Sequence, residues 1–306
     1  MPVILLLQGI FLALAMQQLP PIPLKNGLHQ HLKQAQAKID QLPNYYQKVK
    51  QAKVLWLSKK KTNPQKAAFN RIEKALQINN HYCHYCEGKV GNSIEHFYPR
   101  GFYPNLTFAW ENYLWSCQTC NTQYKGAKFA IFPSSDSAQI TPLVKDRSFV
   151  PPANQDALCL NPRVDDPLDY WHLDLETGYY ILNTNSTPRD QARAQYTLDL
   201  LQLNQRPALV KGRLKAYQNY QQLLKIWANV QTDPTPDYLK TILPPKPASF
   251  YKQTTHKQQI LTYHYLYQQF ISLPYHSVWR SMQQQKAVVP KLEMFFEQAS
   301  TVLDWK

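Results

Sequence analysis

Two cysteine pairs, Cys83-x-x-Cys86 and Cys117-x-x-Cys120, enclose the dipeptide Glu95-His96, and Asn121 directly follows the second pair. Each Cys-x-x-Cys folds as a knuckle with both sulfurs aimed at one ion, and two knuckles complete a tetrahedral four-thiolate site. Such a site suits zinc and is closed, so the ion staples the fold and leaves chemistry to other residues. Disulfides and a redox-active pair are the competing uses. Paired knuckles in a chain with five cysteines among 306 residues favour the metal, and no thioredoxin-like pattern surrounds either knuckle. His81 and His84 lie beside the first knuckle and could replace a cysteine, but with four thiols available they are expected on the surface or just outside the cluster.

The enclosed residues supply a second kind of chemistry. Hydrolysing a phosphodiester near neutral pH needs a divalent cation on the scissile phosphate and a base for the attacking water. Glu95 and the amide oxygen of Asn121 are hard oxygen ligands suited to magnesium or manganese. His96, with an ordinary pKa near 6.5, suits the general base. Asn112 is expected to bond the other ring nitrogen and fix its tautomer. Ser93 to Tyr98 reads as a short strand stopped by Pro99. Adjacent residues on a strand point to opposite faces, so Glu95 and His96 need a twisted strand end or a bulge to flank one phosphate. The alternative is a zinc ribbon in which Glu95 is solvated and His96 caps a turn.

This constellation resembles the HNH endonuclease family with its ββα-metal fold. In that family an acidic-His pair lies on the first strand, an Asn precedes the second, and an Asn or His on the following helix completes the metal site. The resemblance implies Glu95 and Asn121 as catalytic-metal ligands, His96 as base and Asn112 as orienting residue, with the four cysteines clamping the core. Glu stands where Asp is commoner, and Asn121 where the family name implies His; each still offers a metal ligand. The wider pattern is similar to the nuclease subunit of Septu-type and retron-associated anti-phage systems, through Asn161 to Pro167 and Leu198 to Asn204. It implies a defence role beside a separate ATPase. A non-catalytic zinc-stabilised nucleic-acid-binding module, or an RNase, is the alternative function.

Charge agrees with a polyanionic partner. The formal charge is +14, from 34 Lys and Arg against 20 Asp and Glu, and such an excess binds phosphates by counterion release. Arg100, Lys125 and Lys128 are the candidate nucleic-acid contacts near the site. Lys59-Lys60-Lys61 is a second basic run, expected as a solvated helix end. No phosphate-binding glycine loop is present, so built-in ATP use is not expected.

The elements around this core read as mainly helical, giving an α+β fold with a small zinc-clamped ββα-metal core in a helical chain. Residues 1–24 hold an apolar run, Val3 to Ala15, interrupted by Gln8. It is shorter than the roughly 20 residues a bilayer span needs and has no Lys or Arg before it. It is expected to be a leader or the product of a start assigned upstream of Met16, in a cytoplasmic protein without a membrane partner. Residues 25–80 repeat apolar positions at helical spacing, through Leu28, Leu32, Ala35 and Ile39, then Ala67, Phe69, Ile72, Ala75 and Leu76. Residues 81–133 form the core. Residues 134–306 begin as a proline-rich loop and a hairpin over Tyr170 to Leu182 turning at Thr177-Gly178. Asp165 and Asp166, beside prolines, are expected as turn residues more than as metal ligands, and Cys159 as a small buried hydrophobe. Thr187 and Pro188 start a helix to about Asn204. A second carries Leu209 to Trp227, and two or three more follow the prolines at 244, 245 and 247, the last reaching Leu303.

Overall fold

The computed structural model describes residues 22–77, 81–132, 141–142, 157–232 and 235–299. The apolar run at the N-terminus lies outside the described residues, as do Val302 and Leu303. Three helices open the described chain: α1 (Asn26–Asp40), α2 (Tyr45–Leu57) and α3 (Asn63–Leu76). The α1 helix buries Leu28, Leu32 and Ile39, and α3 buries Ala68, Phe69, Ile72 and Leu76. Both follow the helical repeat of the sequence, except that Ala67, expected on the apolar face of α3, is exposed and Ala68 is buried instead. The α2 helix buries only Ala52 and Trp56, which is why apolar periodicity alone did not mark it. Its start is fixed by Asn44, whose side chain accepts from the Gln47 N–H at 3.0 Å. The α3 start carries Pro64 in its first turn and a Thr62/Gln65 capping box.

A small antiparallel sheet sits in this predominantly helical chain. Strand β1 (Ser93–His96) pairs with β2 (Tyr113–Ser116) in unbroken register, Ser93 opposite Ser116 through His96 opposite Tyr113. No bulge interrupts the pair, so Glu95 and His96 leave opposite faces, and His96 is the strand's last residue. A seven-residue helix, Thr119–Lys125, follows the second knuckle with the wide i to i+5 winding. The Gly126 N–H closes it on the Asn121 carbonyl at 2.7 Å, at φ +52°, where a side chain would be strained.

The C-terminal half contains the expected hairpin, Trp171–Leu173 against Tyr180–Leu182. Its turn is organised by Asp174, which accepts from the Glu176 N–H and the Thr177 hydroxyl. Helix Pro188–Leu201 begins at Thr187, which accepts from the Asp190 N–H. It stops about three residues before the expected Asn204. Gln202 adopts the left-handed conformation there, and the Leu203 N–H reaches back to Leu198. Helix Pro207–Thr232 follows. Among the described residues beyond Pro247 there are four helices where two or three were expected, counting the single turn Ala248–Tyr251.

One continuous apolar cluster runs from Ile22 to Ala299. Tyr275 locks the C-terminal helices to the first knuckle. A Cβ at Gly88 would lie 2.1 Å from its hydroxyl and one at Gly212 2.2 Å from it, so the ring fits only between two glycines. Among the described residues no helix is long and apolar enough to cross a membrane.

Candidate metal and catalytic site

The knuckles bring Cys83, Cys86, Cys117 and Cys120 together as a buried cluster with all four sulfurs within 4.8 Å of one another. A tetrahedral ion with Zn–S bonds near 2.3 Å would separate its sulfurs by about 3.8 Å, and Cys86 and Cys117 already stand 3.9 Å apart. All five cysteines are unbridged. Donor type, number and spacing therefore fit structural zinc. Hydrogen bonds among the four thiols hold Cys117 below its ordinary value and push Cys86 and Cys120 above theirs, so a bound cation is needed for all four to be thiolates. Arg206 adds a positive charge that sequence reasoning missed. Both terminal nitrogens of its guanidinium lie 3.5 Å from Cys120 Sγ, and its plane sits over Tyr124. His84 is outside the cluster. It is buried, its Nδ1 accepts the Trp115 N–H at 3.1 Å, and burial pushes it down to about 3. His81 is exposed.

Between the knuckles, Glu95 leaves β1 towards the Thr119–Lys125 helix and is buried. The Lys125 ammonium donates to Glu95 Oε1 at 2.5 Å and to the His96 carbonyl at 3.0 Å. Burial raises the Glu95 carboxyl above its ordinary value, and Lys125 opposes that rise. Lys125 is therefore not the nucleic-acid contact that its charge suggested. Its side chain is fully buried and already paired with Glu95. Asn121, one helical turn earlier on the same face, donates through Nδ2 to Ser93 Oγ at 3.0 Å and towards the Ile94 carbonyl at 3.5 Å. Its two side-chain partners are both on β1, the strand that carries Glu95.

His96 leaves the opposite face. Its Nε2 lies 2.9 Å from the Thr107 carbonyl. A carbonyl only accepts, so Nε2 carries the proton and Nδ1 keeps the lone pair. Tyr113 donates its hydroxyl to the same carbonyl at 2.9 Å, and the Trp56 ring of α2 stands edge-on with centroids 4.2 Å apart. Burial first, then the charges of Arg100, Lys125 and Lys59, push the imidazole down to about 3 against the pull of Thr107. Asn112 is not the group that orients the ring. Its Oδ1 accepts from the Tyr98 N–H at 2.7 Å, and its Nδ2 donates to the Tyr98 and Leu106 carbonyls. Asn112 thus ties both ends of the β1–β2 loop, and the loop presents Thr107 to His96.

Of the remaining candidates, Arg100 is half-buried with its guanidinium 6.0 Å from the Trp56 ring, and Lys128 is exposed. Asp165 and Asp166 serve structure, as expected. Asp165 takes a two-pronged ion pair from Arg193, while Asp166 caps the Leu168 N–H and pairs with Arg280. Cys159 is buried, and burial pushes its thiol up to about 11.

The chain is 28% identical over 163 residues to a Septu protein PtuB from Bacillus thuringiensis, a match covering 50% of each chain. The chain thus spans about half the length of that curated relative. No family model and no solved structure matches it. That distant similarity, together with the buried four-cysteine cluster, points to a zinc-binding, nuclease-like module.

Proposed function

We propose that the chain is a metal-dependent HNH endonuclease that hydrolyses phosphodiester bonds in DNA, acting in the cytoplasm as effector of an anti-phage system beside a separate ATPase. The observation that carries this reading is the local order of parts. An acidic-His pair ends one strand, Asn112 anchors the loop to the next, and Asn121 turns back from the following helix onto the first strand. Similarity to a Septu protein over half the chain supports the defence setting.

In this reading His96 takes the proton of the attacking water on Nδ1, held in the right tautomer by the Thr107 carbonyl. Glu95 and the Asn121 Oδ1 would hold magnesium or manganese as hard oxygen ligands, with Lys125 giving up Glu95 and the phosphate reaching round the end of β1 to His96 on its other face. The ion, when bound, would draw charge from the scissile phosphate and stabilise the transition state. Because Lys125 already balances Glu95, the remaining negative charge comes from the phosphodiester, and metal affinity rises when DNA is present.

A second reading, a zinc-stabilised binding module without catalysis, draws on the same Lys125–Glu95 pair, which occupies the acidic ligand. A plasmid-nicking assay separates the two. Wild-type protein should cut with magnesium or manganese and stop in EDTA, while His96→Ala should be inactive yet folded and zinc-loaded. Full activity in His96→Ala would refute the assigned base. DNA binding without cutting, with candidate ATPase subunits supplied, would favour the binding module.

A further inference from the structure

The positive charge of this chain is concentrated in one place. Residues 45–76, spanning α2, α3 and the turn between them, hold eight lysines and Arg71 against one carboxylate, Glu73. Nine cations less one anion give +8 in 32 residues, which leaves +6 of the chain's +14 for the other 274. None of these cations is fully buried, and among the described residues Lys60–Glu73, at 2.7 Å, is the one ion pair within the hairpin. An ordinary solvated helix face interleaves both signs, because unpaired like charges at helical spacing repel. This hairpin does not.

The turn end of the hairpin also borders the candidate base. Lys59 Nζ lies 4.1 Å from the centre of the Trp56 ring, the Arg100 guanidinium lies 6.0 Å from it, and Trp56 in turn packs on His96. Among the described residues no ion pair engages Lys59 or Arg100. Burial, and after it the charges of Lys60 and Arg100, push the Lys59 ammonium down from its ordinary value. An anion beside Lys59 would offset both effects.

We propose that the α2–α3 hairpin is the main DNA-binding surface of this protein, with Lys59 and Arg100 holding backbone phosphates beside the one presented to His96. The inference deepens the nuclease reading by placing its substrate contacts largely outside the ββα core. The ligand is a polyphosphate backbone, recognised by charge and not by base edges, since the hairpin offers lysines as point charges. Because α2 also exposes Val54 and Leu57 beside Lys53, an anionic membrane surface is the competing ligand in the test.

The experiment uses the full chain carrying His96→Ala, so that DNA stays intact, and reads anisotropy of a labelled duplex of about 25 base pairs from roughly 50 to 200 mM salt. Each phosphate contact contributes about 0.9 to the slope of log affinity against log salt and about fivefold in affinity at ~0.15 M salt. Changing the exposed Lys53, Lys61 and Lys66 to Gln should lower the slope by about 2.7 and weaken binding about 100-fold. Lys59→Gln with Arg100→Gln should lower the slope by about 2. Changing Lys215, Lys252 and Lys257, equally exposed on the C-terminal helices, to Gln should leave the slope unchanged. Equal losses from the two lysine triples would overturn the inference. So would absence of duplex binding, or hairpin-dependent binding to phosphatidylserine vesicles in place of duplex. The readout is binding, so a protein that binds through the hairpin but never cuts would sink the nuclease reading alone. A protein that cuts with the hairpin lysines dispensable would sink this inference alone.

Discussion

Lys125→Met is the substitution whose consequences the structure specifies most fully. It removes the ammonium that balances a buried carboxylate at 2.5 Å and donates to the His96 carbonyl. Glu95 is largely buried, so without its cation it is relieved most cheaply by taking a proton. Holding it neutral at pH 7, against an unfolded pKa near 4.3, costs at most about 4 kcal/mol, at ~1.4 kcal/mol per unit. The lost hydrogen bond to His96 adds about 1 kcal/mol at any pH. The folded carboxyl of the variant is raised further above its unfolded value, so the penalty is full at neutral pH and is relieved as pH falls. By the same arithmetic the carboxyl part shrinks to about 1 kcal/mol at pH 5. Urea unfolding of zinc-loaded variant and wild type, compared at each pH, measures both numbers. Lys125→Met combined with Glu95→Leu should return to within about 1 kcal/mol of wild type, because replacing a buried pair by apolar groups is often neutral. If Glu95 is a metal ligand, manganese at about a hundred times its dissociation constant should stabilise the single variant by ~2.7 kcal/mol. A loss below about 1 kcal/mol at pH 7, or one independent of pH, would refute the buried ion pair.

Three other outcomes follow from the same geometry. Arg206→Gln removes the guanidinium from Cys120 Sγ and should weaken zinc retention about 10- to 100-fold in a chelator competition, the usual effect of losing a group that supports a metal ligand. Cys83→Ser should release the ion outright and unfold the core around it, read as zinc content and loss of near-ultraviolet dichroism. Acid should destabilise the protein below neutrality: burial holds His96 down to about 3 and His276 down to about 4. Both lie below the unfolded value near 6.5, so their contribution is intact above that pH and lost as pH falls. The expected slope from these two groups is about 2.7 kcal/mol per pH unit between roughly 6.5 and 4. Buried His84, held down to about 3, adds to it, and buried Glu87, raised to about 8, opposes it by a similar amount. A flat urea midpoint from pH 7 to 5 would therefore show that the histidines titrate in the folded state.

The legible parts of the fold were those with a local cause. Cys-x-x-Cys spacing foretold the sulfur cluster because each knuckle is a short-range turn, and the Thr187-Pro188 start was written in capping chemistry. Asn112 and Lys125 were not legible in the same way. Asn112 has the right type for orienting a histidine, but the register of β1 and β2 gives its amide to Tyr98 and Leu106. Which backbone oxygen then meets His96, that of Thr107, depends on a 16-residue loop with no periodic signal. A lysine after a helix-borne asparagine reads as solvent-facing until the helix docks on a strand. The signal available was its spacing, since a residue four after Asn121 shares the face that meets β1. Trp56 reaches the site from a distant helix and Arg206 from the connection before helix Pro207–Thr232, and no local pattern marks either.

The groups that depress His96 also define when it could act. An imidazole held near 3 is neutral at pH 7 and accepts protons poorly, whereas a general base is most effective with a pKa near the working pH. Burial, the Thr107 bond and the Lys125 charge, which is buried against Glu95, are fixed parts of the fold, but Arg100 and Lys59 are partly exposed and within reach of a ligand. A phosphodiester seated among them contributes the opposite sign and raises the imidazole, by about one to two units for an anion at close range. His96 therefore gains basicity when substrate is in place and stays inert without it. Titrating labelled histidine by NMR in EDTA, with and without duplex DNA, follows this directly, with the His96 signal identified by its loss in His96→Ala. An upward shift on adding duplex, reduced in the Lys59→Gln, Arg100→Gln protein, is the expected result. An unchanged or lowered value would mean that the phosphate lies elsewhere and that His96 has another role.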